Sequence, residues 1–297
     1  MFKILNPSAV GISGRQSEVI ELALTYGFKH LEVDLTEFQK RVEQLGLPAA
    51  RRLFDSAKLA VASFELPFSL GLGEPEYRAA FEALKPVAAL AQQLGAALCW
   101  TQLEAGSDER PFHENFELHR KRLQELGELL GAFGIRLAVG IQAAELHRAP
   151  KAFQFIYQPD QLLLLVKAAS SAQVGLMLDT WDWFVGGGSI DQLRKLTADQ
   201  VFSVRLGDLP AEVDATAAAD DQRVVPGEGG TFDIQAVVQH LADIQYAGPV
   251  TVAAHPKSFA GQRREAMVQK LSASLDELWA AAGLGKDEQP LPAAAKA

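Results

Sequence analysis

The chain has 297 residues, of which 48% are hydrophobic and 22% charged, a balance too apolar for disorder and ordinary for a folded domain. A formal charge of −9 works against binding a phosphate backbone, so no nucleic-acid partner is expected. One cysteine, Cys99, rules out an intramolecular disulfide, and no leader-like core or run of about 18 apolar residues is seen, so no membrane partner is expected and the cytoplasm is the default location.

The first apolar run is Phe2–Asn6, followed by an amphipathic segment, Glu18–Tyr26, that stops at Gly27, a residue suited to ending a helix. Further short apolar runs fall at His30–Leu35 and Leu59–Leu66. The helical pattern of Pro75–Leu94 contains Pro86, which predicts a kink or two shorter helices. Ala97–Leu103 reads as a strand, Phe116–Phe133 as a helix closed by Gly134, and then Arg136–Gln142, Val174–Trp181, Val201–Asp208 and Pro249–His255 as strands. Parallel strands need crossover helices, and eight strands in roughly 250 residues is the size of a barrel. No Gly-x-Gly-x-x-Gly follows the first strand, which removes the dinucleotide-binding open sheet, and polar residues recur at the strands' carboxyl ends. The expectation is therefore an α/β chain forming one (β/α)8 TIM barrel over residues 1–282, with a disordered tail at 283–297.

Gly27-Phe-Lys-His-Leu-Glu-Val-Asp-Leu35, Val174-Gly-Leu-Met-Leu-Asp-Thr-Trp-Asp-Trp183, Val201-Phe-Ser-Val-Arg-Leu-Gly-Asp208, Arg223-Val-Val-Pro-Gly-Glu-Gly229 and Tyr246-Ala-Gly-Pro-Val-Thr-Val252 together resemble the xylose isomerase-like barrels, the sugar phosphate isomerase/epimerase superfamily. The resemblance runs from Phe28 to about Trp279. It implies a ketose epimerase, isomerase or dehydratase that holds Mn, Mg, Co or Zn through a Glu, an Asp, a His and a Glu on successive strands. Here those positions carry Gly140, Asp179, Arg205 and Ala253. Asp182 stands where the resemblance implies a catalytic histidine. With three of four ligands absent, one carboxylate is too few for a hard cation, so neither a metal nor another cofactor is expected.

Arg205 carries a fixed positive charge where the ion would sit. It is expected to pair with Asp179, either polarising a substrate carbonyl and stabilising an enolate or closing the mouth as a silent salt bridge. Glu32 and Glu65 have the parity to point inward and to serve as general acid and base if burial raises their pKa, or simply to accept hydrogen bonds from Arg205 or Arg223. The expected catalytic residues are thus Glu32, Asp179 and Arg205. Glu65, Gln142, Trp181, Asp182, Arg223 and His255 are expected to bind substrate. His255 and Gln142, with Asp179 or Glu32, are also a candidate for a displaced metal cage. The glycine-rich stretch Arg223–Thr231 reads either as an amide cradle for an anion or as a turn that brings Arg223 to the mouth. Trp181, Trp183 and Phe184 read as a sugar-stacking rim, a dimer contact or core. Arg120-Lys-Arg122 reads as a solvated helix face, and His113, His119, His147 and His240 as structural or solvent-facing. No motif of serine hydrolases, zinc proteases or P-loop enzymes is present.

Two functions follow. One is an isomerase or epimerase acting on a small polyhydroxy carbonyl compound without a divalent metal. The other is a non-catalytic descendant that binds a carbohydrate-like ligand or a protein partner. The resemblance also makes a homodimer the assembly to look for. Titration of Glu32 and Glu65 and the depth of the mouth discriminate between the two functions.

Overall fold

The computed structural model describes residues 1–285. Eight parallel strands close into one barrel: β1 (Phe2–Leu5), β2 (His30–Glu32), β3 (Ala60–Glu65), β4 (Leu98–Leu103), β5 (Arg136–Ile141), β6 (Val174–Asp179), β7 (Val201–Leu206) and β8 (Pro249–Val252). Each expected strand is present, shortened at its ends. The chain between strands forms α1 (Gln16–Thr25), α2 (Leu35–Leu45), α3 (Leu47–Ala57), α4 (Glu74–Leu94), α5 (Phe112–Gly131), α6 (Pro159–Ala168), α7 (Thr180–Val185), α8 (Ile190–Leu193), α9 (Ile234–Asp243) and α10 (Arg264–Ala281). A two-residue antiparallel ribbon pairs Gly106 and Ser107 with Gln154 and Phe153 over the mouth. None of the described helices is long and apolar enough to cross a membrane.

Alternation along each strand divides the apolar residues into two layers. One set, including Leu137, Val139, Leu176, Leu178 and Val204, packs outward beneath the helices. The other, made of Leu98, Trp100, Ala138, Met177 and Phe202, packs together inside the barrel. A side chain at Gly175 would come within 2.7 Å of the Phe202 ring, so the absent Cβ makes room for that ring.

Three expectations are corrected. Of the two outcomes expected at Pro86, two shorter helices do not form: α4 is one helix from Glu74 to Leu94, because Pro86 lies on the exposed face and water can satisfy the carbonyl that its missing N–H leaves free. Arg122 is not solvated but 2% exposed, donating to the carbonyls of Leu70 and Leu72 at 2.7 Å each and to Glu74 at 2.8 Å, with its guanidinium 4.0 Å from the Tyr77 ring. The fold also continues past residue 282, since Leu284 packs on the core and its N–H donates to Trp279. The remainder of the expected tail, 286–297, lies outside the described residues. His119 is buried as a structural histidine, and desolvation lowers its pKa to about 4.

Candidate active site at the barrel mouth

The carboxyl ends of the strands carry two clusters with the same composition, two carboxylates and one guanidinium. The first is closed. Asp179 ends β6 and caps α7, its Oδ1 accepting from the backbone N–H groups of Trp181 (3.0 Å) and Asp182 (3.2 Å). A cap and a residue three positions on share a helix face, so Asp182 is turned toward the same side. Arg223, from the loop after β7, forks between them at 2.6 Å to Asp179 and 3.0 Å to Asp182. Asp182 also accepts from the Ala143 N–H at 2.8 Å and from Gln102 at 3.3 Å. Burial, reinforced by the charge of Asp179, pushes the Asp182 carboxyl up to about 6 against the pull of Arg223. The free space beside this triad is about 10 Å³, at the lower limit for a single water.

Arg223 therefore takes the place expected of Arg205. Asp179 and Arg205 are register partners on β6 and β7, but Asp179 turns to the helix cap and the loop arginine. Trp181 is fully buried, with Arg223 4.7 Å from its ring. It belongs to the core and not to a rim. The glycine-rich loop does form an amide cradle, but around the chain's own Asp208, whose buried carboxylate accepts from Leu209 (2.8 Å), Gly230 (2.9 Å) and Phe232 (3.2 Å). His255 caps a short turn by accepting from the Lys257 N–H at 3.2 Å and lies outside the cavity wall, so it does not join Gln142 in a cage. Close by, His147 bonds Asp220 at 2.6 Å, which raises the histidine's pKa.

The second cluster is open. A register shift between Leu31 and Glu32 sets Glu32 beside Ser63 on β3, and Ser63 donates to Glu32 at 2.9 Å while Asn6 from the end of β1 donates to its other oxygen. Burial pushes the Glu32 carboxyl above its ordinary value, overriding Arg205 and the Ser63 hydroxyl. Glu65, at the end of β3, projects into the cavity, and the surrounding walls raise its pKa too, again against Arg205. Arg205 lies flat on Trp100 at 3.7 Å, a cation–π contact, and is only 8% exposed. It forms no ion pair among the described residues, and its Nη2 is buried without an acceptor. Such a group costs about 1–3 kcal/mol or more when charged, so this is a cation held in readiness for a partner. Glu32, Glu65 and Gln142 line a cavity of about 1240 Å³ on the β1–β5 side of the mouth, together with Thr101, Gln102 and Glu104.

Asn6, Ser63 and Trp100 were not singled out from the sequence. Their parity on the strands, two residues from Glu65 in the case of Ser63 and inward on β4 in the case of Trp100, is the signal that was available.

The residues at the family's ligand positions do not fit a divalent cation. Asp179 has both oxygens engaged, Arg205 is cationic, and a side chain at Gly140 would meet Met177 Cε at 2.4 Å. Nowhere among the described residues do three His, Cys, Asp or Glu side chains converge as a cation site.

Solved structures share this fold. A xylose isomerase domain protein from Alicyclobacillus acidocaldarius subsp. acidocaldarius is 23% identical with a TM-score of 0.85, covering 95% of this chain and 99% of that one. The IOLI protein with a binding zinc atom is 16% identical with a TM-score of 0.79, covering 94% and 98%. A D-psicose 3-epimerase crystallised in the presence of D-fructose is 15% identical with a TM-score of 0.75, covering 95% and 100%. No curated protein matches the sequence. The family model described as xylose isomerase-like TIM barrel matches residues 20–278, and the chain belongs to that family.

Proposed function

We propose that the open cluster catalyses isomerisation or epimerisation of a small polyhydroxy carbonyl compound, with Arg205 supplying the positive charge and no divalent metal taking part. The observation that carries this reading is the buried, unpaired guanidinium of Arg205 set against two carboxyl groups whose pKa values are both raised. Abstraction of a proton beside a carbonyl needs a base near neutrality, a group to return the proton, and a donor for the developing enolate oxygen. Glu65 is the accessible base. Glu32, buried and biased toward its neutral form, returns the proton. The Arg205 guanidinium, whose charge already reaches both carboxyl groups, stabilises the oxygen electrostatically as it gains charge. Asp179, Asp182 and Arg223 act as a brace that fixes the β6–α7 corner, and Gln102, which donates both to Asp182 and to the Ile141 carbonyl at 3.0 Å, links that brace to the cavity wall.

The test is exchange of the α-proton of a panel of ketoses in D₂O, followed by NMR with chelator present throughout. Exchange that survives chelation and is lost in Glu65→Gln and Arg205→Met supports the reading. Exchange abolished by chelator and restored by Mn²⁺ overturns its metal-free part. The filled corner at Asp179 and Asp182 favours the other reading, a barrel that binds a carbohydrate-like ligand without turning it over. Saturable ketose binding with no exchange would establish that one.

A further inference from the structure

The cavity is larger than a six-carbon polyol requires, since about 300–1,000 Å³ serves drug-sized ligands. Its walls also differ in the groups they carry. The strand ends contribute Glu32 and Glu65, whereas the wall formed by α2 and the start of α1 carries Arg15, Lys40, Arg41 and Gln16 beside Asp34 and Glu37. Two of these side chains have unmet hydrogen-bonding capacity. The Nε of Arg41 is buried without an acceptor, and both the nitrogen and the oxygen of the Gln16 amide are buried without partners. Arg41 forms no ion pair among the described residues. The acidic groups nearby on α2 are already engaged, Asp34 accepting from the Glu37 N–H at 3.0 Å as the helix cap and Glu37 pairing with Lys40 at 3.2 Å.

We propose that this wall, centred on Arg41 and Gln16, is a subsite for an oxyanion, so that the substrate is a polyhydroxy carbonyl compound carrying a phosphate or carboxylate at the end remote from its carbonyl. The proposal rests on the isomerase reading for the carbonyl end but not for the anion site itself. A guanidinium Nε donates in the plane that suits a phosphate or carboxylate oxygen. The Gln16 nitrogen adds a neutral donor, and its oxygen accepts from a substrate hydroxyl. The unpaired Arg41 then fixes the direction of binding: an anionic tail is drawn to Arg41, which leaves the carbonyl end at Glu32 and Glu65. On an acidic chain, an unpaired guanidinium in a cavity wall also concentrates anions where the chain's overall charge would exclude them.

Three ketoses that differ only at C6 test the proposal by calorimetry: D-fructose, D-fructose 6-phosphate and D-fructuronate. At least one anionic ketose is expected to bind about tenfold or more tighter than D-fructose, as one charge-assisted bond provides, and the two arms say whether phosphate or carboxylate is preferred. In Arg41→Met the advantage should fall to near unity, with D-fructose affinity unchanged, and in Gln16→Leu it should fall partway. Equal binding of all three, or an advantage that survives in Arg41→Met, overturns the proposal. Inorganic phosphate and acetate, followed by NMR line broadening and thermal shift, probe the subsite without any ketose. Binding of one of them that is lost in Arg41→Met, together with the preference for an anionic ketose, upholds the subsite even if no ketose is turned over. Binding of neither, together with no preference among the ketoses, overturns it.

Discussion

Replacing Arg223 with methionine removes the only cation among the described residues that pairs with Asp179 and Asp182, and leaves most of the side-chain volume in place. Both carboxylates are buried, at 4% and 2% exposure, and the lost bonds are the two ion pairs at 2.6 and 3.0 Å. Removing one partner from a buried ionic group costs about 3–5 kcal/mol, because the remaining charge is left uncompensated. Protonation limits that cost, and the limit depends on pH. In the unmodified protein the Asp182 carboxyl is pushed up to about 6 from an ordinary 3.8, chiefly by burial. A carboxyl raised on folding binds more protons folded than unfolded across that window, so its stabilising contribution is present at low pH and declines as pH rises. Without Arg223, which lowers it, the Asp182 value rises further and the declining window extends above 6.

Each pH unit by which the window extends costs about 1.4 kcal/mol at pH values above it. The loss caused by Arg223→Met should therefore be larger at pH 8 than at pH 6, by about 1–3 kcal/mol. Urea unfolding of both proteins at the two pH values, with m-values checked for equality, measures it directly. A loss under about 1 kcal/mol at pH 8, or one that is the same at both pH values, would show that Arg223 is not the counter-charge of this pair.

Arg205→Met should lower the rate of α-proton exchange by about 10²–10³-fold, the usual consequence of losing one donor to a developing oxyanion. It should leave the unfolding midpoint unchanged or higher, since the guanidinium has no internal acceptor to lose, and a midpoint that falls with it would mark Arg205 as structural. His147→Gln tests the bond to Asp220. The histidine's pKa is raised, so its contribution is full below about 6.5 and fades as pH rises through the higher folded value. A loss of up to about 1 kcal/mol at pH 6, discounted for partial exposure, should vanish at pH 9, and an equal loss at both pH values would exclude an ionic bond. Asp208→Ala strands three backbone donors, at Leu209, Gly230 and Phe232, and should cost about 2–4 kcal/mol. Hydrogen exchange should show the Gly230 and Phe232 amides losing protection, and unchanged protection there would mean that the loop is held by something else.

The barrel was legible because alternation and helix-ending glycines are local signals, and each strand expected from them is present. That α4 stays one helix through Pro86 was not legible, because whether water can satisfy the freed carbonyl depends on exposure, a property of the tertiary structure. At the mouth, the motif positions located Asp179, Asp182, Arg205 and Arg223 in one region but not the pairing among them. Strand register places Arg205 opposite Asp179, whereas side-chain partners depend on how the loop after β7 returns, and it returns with Arg223. Asp208 had a readable signal that went unused: an acidic residue at a strand end followed by a glycine-rich loop is an acceptor facing a row of donors. Glu32 and Glu65 were found from parity, but Ser63 and Asn6, which hold Glu32, needed the register shift at Leu31 to become visible.

The two clusters at the mouth argue for different fates of the same ingredients. Asp179, Asp182 and Arg223 are bonded to one another, and the space beside the two carboxylates is about 10 Å³, too little for a ligand. Glu32, Glu65 and Arg205 have the same formal charge, yet the guanidinium pairs with neither carboxylate and stacks on Trp100, while Glu32 and Glu65 line a cavity about a hundred times larger. If burial of charge alone were being served, Arg205 would relax onto Glu32 or Glu65 as Arg223 has onto Asp179. That it does not means Trp100 is the positioning residue of the open cluster. Trp100→Leu should then lower both stability, through the cavity it leaves, and exchange, whereas Trp100→Phe, which keeps a ring beneath the guanidinium, should keep most of the exchange; a Trp100→Leu variant with unchanged exchange would show Trp100 to be merely core.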